Sequence, residues 1–218
     1  MSKITWSGQS FFQISVSNSK DHSAQIAIDP FDAEIGLKVP NVSTDVLLIT
    51  HNHHDHNNKK AVKGEPFLIE GPGEYEIKGI FIKGIPAFHD DAQGKERGNI
   101  TIYTIEAEGL RFCHLGDLGQ KQLTDEQVEE IGQIDVLMIP VGGVFTISSQ
   151  EAVKIISQIE PKIVIPMHYS IPHLKIKLDG VDKFLKAIGK NSVVPQEKLL
   201  VKLSALPKEG MDIVVLLP

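Results

Sequence analysis

Four of the chain's nine histidines fall within six residues, in the segment Thr50-His51-Asn52-His53-His54-Asp55-His56. Imidazole nitrogens and carboxylate oxygens are the protein donors for zinc and similar ions when thiolates are scarce, and this chain has a single cysteine, Cys113. In an extended segment alternate side chains share one side. His51 and His53 would then offer two nitrogens to one ion, while Asp55 and His56, where the chain turns, could reach a second. His54 is out of phase with its neighbours and reads as a spacer or an outer group. A solvated polar turn is the bland alternative. It would leave four imidazoles repelling one another at mildly acidic pH, with nothing to hold them together.

Such a loop needs a rigid element behind it. Residues 46–50, VLLIT, form a continuous apolar run of the kind buried on both faces of a sheet. Short β-type runs precede it at 4–6, 11–16 and 25–29, and others follow at 67–70, 73–77, 80–87, 100–106 and 110–114, separated by Gly, Pro and Asn turn signals. Helices belong to the second half. Thr124-Asp-Glu-Gln127 and Ser148-Ser-Gln-Glu151 are capping-box patterns. The second precedes Ala152, Ile155, Ile156 and Ile159 at helical spacing, and Val181, Phe184, Leu185 and Ile188 repeat that spacing. A strand over 162–167 lies between them, and closing strands are predicted over 199–203 and 213–217. Asp45-Val-Leu-Leu-Ile-Thr50 echoes Asp135-Val-Leu-Met-Ile-Pro140. Either buried strands simply look alike, or two βα halves face each other with the site where their strand ends meet.

The 218 residues suit one domain over 1–218 with a sizeable core. The net charge of −6 disfavours a surface devoted to phosphate backbones. One cysteine forbids an internal disulfide. There is no basic segment leading into a long apolar run, and no stretch nears the roughly 20 apolar residues of a membrane helix. The expectation is a cytoplasmic protein with a small-molecule substrate, no membrane and no nucleic-acid partner, with homo-oligomerisation left open.

The motif His51-x-His53-x-Asp55-His56 after a strand resembles the signature of the metallo-β-lactamase superfamily. Weaker landmarks recur in order along nearly the whole chain: Ile28-Asp-Pro30, His89 in Ile85-Pro-Ala-Phe-His-Asp90, Asp117 in Leu115-Gly-Asp-Leu118, and His168 in Ile165-Pro-Met-His-Tyr169. Ile4-Thr-Trp-Ser-Gly8, Gly71-Pro-Gly-Glu-Tyr-Glu-Ile77 and His114-Leu-Gly-Asp-Leu118 look like the compact branch related to ascorbate-6-phosphate lactonase-like hydrolases. That branch often carries His after the first Gly of the N-terminal motif; here the position is Gln9, and no chemical role is assigned to it.

The resemblance implies an α/β (α+β) four-layer αβ/βα sandwich, two mostly antiparallel sheets flanked by helices. It implies two metals, zinc or else manganese or iron. His51, His53 and His89 would hold one, Asp55, His56 and His168 the other, with Asp117 bridging. A hydroxide between the ions would attack a small ester, lactone, amide or phosphoester. Asp55 and Asp117 are the candidate catalytic carboxylates. His114 is either a satisfied core histidine or a proton shuttle. Asp29 would orient a liganding histidine through its other ring nitrogen. His22 and His173 read as surface groups and Cys113 as buried and inert. Two other functions compete. A nuclease would use the same ligands but usually adds a clamp domain or basic arm, and neither is seen here. The flavin-linked redox branch has Glu where this chain has His53, whereas a non-catalytic metal-binding protein is compatible with the sequence.

Overall fold

The computed structural model describes residues 1–19 and 22–218, with the side chains of residues 18, 19 and 22 not described. The surface reading of His22 therefore lies outside the described residues. The chain opens with β1 (Ser2–Trp6), β2 (Phe12–Ser19) and β3 (His22–Ile28). β4 (Val42–Ser43), β5 (Val46–Leu48), β6 (Val62–Lys63), β7 (Phe67–Ile69), β8 (Gly73–Ile77), β9 (Ile80–Phe88), β10 (Asn99–Ala107) and β11 (Leu110–His114) follow. The second half alternates α1 (Asp125–Ile131), β12 (Val136–Pro140), α2 (Ser149–Ile159), β13 (Ile163–Met167) and α3 (Val181–Ala187), and ends on β14 (Leu199–Val201) and β15 (Asp212–Ile213).

Two sheets result. The first has the order β14-β1-β2-β3-β5-β7 and the second β15-β13-β12-β11-β10-β9-β8, beside a small β4-β6 ladder. The hairpin strands β1–β3 and β8–β11 pair antiparallel. The strands separated by longer crossovers pair parallel: β3-β5-β7 in one sheet and β11-β12-β13-β15 in the other. The echoing runs are the central parallel strands of the two sheets, β5 and β12.

Alternation along the strands places the core. Ile26, Ile28, Val46 and Leu48 of the first sheet pack with Ile82, Ile102, Phe112 and Leu137 of the second in one large apolar cluster. The intervening Ala27 and Leu47, with Ile49 and Phe11, point the other way, into a smaller cluster with Phe31, Ile35 and Val62. The Tyr103 hydroxyl, deep between the sheets, donates to the Ile49 carbonyl oxygen at 2.9 Å and ties β10 to the root of the His-rich loop.

Both capping boxes form: the Thr124 and Ser148 side chains accept from the N–H groups of Gln127 and Glu151, and those side chains accept in return. The helix α2 buries Ala152, Ile155, Ile156 and Ile159 and contacts α1 and α3. The outer face of the first sheet is covered instead by two 3-10 turns, Ala33–Ile35 and Lys59–Ala61, and by loops. The expected closing strand over 213–217 is confined to Asp212–Ile213, and the β4-β6 ladder, two residues a side, carried no sequence pattern. Cys113 is buried, which pushes its thiol pKa up and keeps it unreactive. Among the described residues no helix is long and apolar enough to cross a membrane.

Candidate metal centre

The candidate ligands sit just past the ends of the parallel strands β5, β11 and β13 and of the antiparallel-paired β9. His51, His53, Asp55 and His56 follow β5, His89 follows β9, Asp117 lies three residues past β11, and His168 follows β13 directly. All seven side chains converge in two groups. Donor atoms of His51, His53 and His89 lie within 4.8 Å of one another, and so do those of Asp55, His56, Asp117 and His168. Asp117 joins the groups. Its Oδ1 is 3.2 Å from His56 Nε2, and its Oδ2 is 3.1 Å from His168 Nε2 and 3.6 Å from His89 Nε2.

Asp29 governs which nitrogens face inward. Its Oδ2 lies 2.9 Å from His56 Nδ1 and accepts from the Thr50 hydroxyl at 2.6 Å, while Oδ1 accepts the Thr50 N–H at 2.8 Å. A carboxylate takes a proton from each, so His56 is protonated on Nδ1 and directs Nε2 at Asp55 and Asp117. Thr50 Oγ1, its own proton committed to Asp29, can only accept from His51 Nδ1 at 3.0 Å. The His51 Nε2 lone pair is thereby turned toward His53 Nδ1, 2.9 Å away. The contact expected of Asp29 is present, and Thr50 extends it to a second histidine.

The N-terminal turn supplies further support that the sequence did not announce. Gln9 Nε2 donates to Asp55 Oδ2 at 2.9 Å, and Ser10 Oγ to Asp117 Oδ1 at 3.3 Å. The Gln9 carbonyl accepts both Trp6 Nε1–H and the His168 N–H. Gln9, Asp29 and His168 all have φ near +50°, a conformation non-glycine residues rarely adopt, so the site is held by strained backbone. Gly119 and Gly142 are obligatory for contact: a Cβ on either would collide with the backbone carbonyl of His89 or of His168.

Electrostatics and donor chemistry both fit divalent cations. Burial alone would raise the Asp117 carboxyl pKa, but His168 and His56 outweigh it and hold the group well below the usual range. Asp55 is likewise kept low against burial, by His56. Burial and then the neighbouring His56 lower His51 to about 2, and burial lowers His89, so both are neutral with lone pairs available. His56 resists its burial because Asp117, Asp55 and Asp29 surround it, and its pKa is raised well above the ordinary value. Its buried Nε2 makes no aligned hydrogen bond, although it stands 3.2 and 3.5 Å from two carboxylates. A lone pair among anionic oxygens requires a positive charge between them, from a proton or a cation.

His114 does not belong to this group. The Gly116 N–H donates to its Nδ1 at 3.1 Å, so the ring proton is on Nε2 and is given to the Ser10 carbonyl at 3.0 Å. Burial lowers its pKa, its ring meets Phe12 edge-on, and both ring nitrogens have backbone partners, which favours the core alternative over the shuttle. His54 is exposed at the mouth of the cleft, and His173 is exposed outside it. The cleft itself encloses about 380 Å³ over His53, Asp55, His89, Asp117 and His168. Its upper wall includes Arg97, Phe145 and Ile176, none of which any motif had marked.

Asp90 organises the loop between His89 and Arg97. Its two oxygens accept four backbone N–H groups, from Ala92, Gly94, Glu96 and Arg97, at 2.8–3.0 Å. Those donors outweigh burial and lower its pKa. A depressed carboxylate pKa contributes stability above the unfolded value of about 3.9, and this is lost as pH falls through the lower folded value. Asp90→Ala should leave the sheets intact, raise amide exchange in residues 89–98, and lower turnover about 10- to 100-fold by misplacing His89. Wild-type protection in the same loop, taken relative to each amide's intrinsic exchange rate, should be retained above the unfolded carboxylate value and fall at more acidic pH. An Asp90→Ala protein with wild-type exchange and turnover would show that the loop holds itself.

Comparison with known proteins bears on the family and the fold. The family described as the Beta-lactamase superfamily domain matches residues 3–168. A metal-dependent hydrolase of Thermococcus onnurineus is 30% identical over 197 residues, covering 78% of this chain and 85% of its own. Among solved structures, a Thermotoga maritima protein provisionally described as a Zn-dependent hydrolase of the metallo-beta-lactamase superfamily superposes with a TM-score of 0.78. It is 38% identical, over 99% of both chains. A Parabacteroides distasonis protein, provisionally described as a metal-dependent hydrolase, superposes with a TM-score of 0.64, covering 97% of this chain and 91% of its own. At 20% identity that is a likeness of fold.

Proposed function

This chain belongs to the beta-lactamase superfamily, and we propose that it is a dinuclear metal-dependent hydrolase of a small ester, lactone, amide or phosphoester. One observation carries the reading: two ligand groups, of three and four residues, lie at the floor of one cleft and share contacts with a single carboxylate, Asp117. His51, His53 and His89 would hold one ion, and Asp55, His56 and His168 the other, with Asp117 facing both. Nitrogen and oxygen donors without sulfur suit zinc, with manganese or iron as alternatives.

Bound there, the ions would supply Lewis acidity toward a carbonyl or phosphoryl oxygen and lower the pKa of water toward neutrality. The chain's own residues do the rest. Asp55 and Asp117 bring negative charge that two dications require, and because both pKa values are depressed they act as anions rather than proton donors. Gln9 and Ser10 fix the rotamers of those carboxylates, and Asp29 fixes the ring of His56 directly and that of His51 through Thr50. A cleft of about 380 Å³ suits a small organic molecule.

The test is metal counting joined to turnover. Zinc-loaded protein should contain two ions per chain by mass spectrometry, and chelation should abolish hydrolysis of whichever lactone, ester or phosphodiester in a panel it cleaves. A single ion per chain would overturn the dinuclear assignment. Two ions with no hydrolysis across the panel would favour a metal-binding protein, and cleavage confined to single-stranded RNA would favour a nuclease.

A further inference from the structure

The chain has only two arginines, Arg97 and Arg111. Arg111 stands 3.8 Å from the Glu106 carboxylate, and Lys59, Lys78, Lys83, Lys121 and Lys183 each pair with an acid. Arg97 has no carboxylate within ion-pair distance among the described residues, in a chain with 28 acidic residues. It lines the same cleft as His53, His89, Asp117 and His168, and its guanidinium carbon sits 5.8 Å from the centre of the Phe145 ring. Its backbone is pinned by Asp90, and the ring holds the guanidinium beside the cleft although the residue itself is exposed.

The loop that carries Phe145 is unusual in its own right. Phe145 is 42% exposed and Val144 62% exposed, and Val144 has φ +61°. A β-branched residue in the left-handed region is a genuine outlier, and such strain persists only where the surroundings impose it. They do so here: the Ile147 N–H donates to the Leu118 carbonyl, next to Asp117, and the Asp179 N–H donates to that of Gly142. The loop therefore holds apolar side chains open to solvent, at an energetic cost, and Phe145 lines the cleft that holds the candidate ligands.

We infer that the substrate is an amphipathic organic anion. Arg97 takes a carboxylate or phosphate group set apart from the scissile bond, and Phe145 with Ile176 takes an apolar segment between them. A guanidinium fork matches such anions through paired N–H donors, and a neutral substrate would leave Arg97 without a partner. This rests on the hydrolase reading above and deepens it by naming what the cleft selects.

The probes are the mono-4-nitrophenyl ester of adipic acid, its ω-phosphonate analogue, and neutral 4-nitrophenyl hexanoate. Calorimetric titration of zinc-loaded protein with adipate and hexanoate adds a readout independent of turnover. The parent should favour the anionic esters about tenfold or more in kcat/KM. Arg97→Gln should erase that preference through KM while changing the hexanoate ester less than twofold, and Arg97→Lys should restore part of it. Phe145→Ala should weaken anionic and neutral esters alike. The ratio of carboxylate to phosphonate esters reports which anion the site takes. Hydrolysis unaffected by Arg97→Gln, or reduced equally for charged and neutral esters, sinks the inference and leaves the hydrolase reading standing. Adipate binding that depends on Arg97, without hydrolysis of any ester, sinks the hydrolase reading and supports the recognition. Neither hydrolysis nor preferential adipate binding removes both.

Discussion

Asp117→Ala is expected to lower turnover at least about 1000-fold, roughly 4 kcal/mol of transition-state stabilisation, while the chain still folds. Among the described residues, Asp117 is the carboxylate whose oxygens approach histidines of both ligand groups. Its loss would remove the negative charge between two dications, take from His168 the carboxylate that faces it, and leave Asp55 as the carboxylate beside His56 Nε2. The Asp55-His56-His168 group, reduced to three ligands, should empty first. The fold should survive because Asp117 lies past the end of β11, outside the apolar cluster built by Phe112, Leu137 and Ile165. Asp117→Asn keeps the shape and loses the charge, so it separates the two contributions: it should retain the native melting curve and still be inactive. His54→Ala, in the same loop but exposed, should keep both metals and most activity. Native metal content and turnover in Asp117→Ala would remove Asp117 from the centre; an inactive His54→Ala would refute the phase argument for the loop.

Asp29→Ala is expected to be the most damaging substitution for stability and to weaken both metal positions at once. Asp29 is fully buried and accepts from the Thr50 N–H, the Thr50 hydroxyl and His56 Nδ1–H. Alanine would strand these buried donors, at about 1–3 kcal/mol each where nothing replaces the acceptor. Allowing for relaxation, a loss of about 3–5 kcal/mol is expected, a fall in Tm of roughly 6–20 °C for a chain of this size. The hydroxyl of Thr50, released from Asp29, could then donate to His51 Nδ1 and invert that ring's tautomer, while His56 would be free to rotate. Metal affinity should drop about 10- to 100-fold at each position. Asp29→Asn, which retains an acceptor for the Thr50 N–H, should recover part of the stability but little of the affinity. A metal-free Asp29→Ala protein melting within 2 °C of the parent would show that Asp29 is not the keystone of the loop.

The sequence alone determined the candidate ligand types and the strands that carry them. His51, His53, Asp55 and His56 are contiguous, so their spacing is legible without a fold, and the apolar runs at β5, β12 and β13 announce buried strands because residues there face core on both sides. The helices α1 and α2 were legible from their capping boxes, since a cap is a local bond between residues three apart. His89, Asp117 and His168 rested on the family resemblance, because each is a lone residue whose meaning depends on where its strand ends. Tertiary structure decided what has no local signature. Parallel pairing of β3 with β5, and of β11 with β12 and β13, with the antiparallel β9-β10-β11 meander that returns β9 to the direction of β11, sends the ends that carry the candidate ligands to one edge. Contacts between residues 46 and 107 positions apart then join Gln9 to Asp55 and Ser10 to Asp117. His114 shows the same limit from the other side. Beside a metal ligand in sequence it could be core or catalytic, and only the two backbone groups that occupy its nitrogens made it core. Arg97 and Phe145 belong to different loops, 48 positions apart in a sequence that marks neither. What they face is set by the packing of those loops over the strand ends, and no spacing along the chain encodes it.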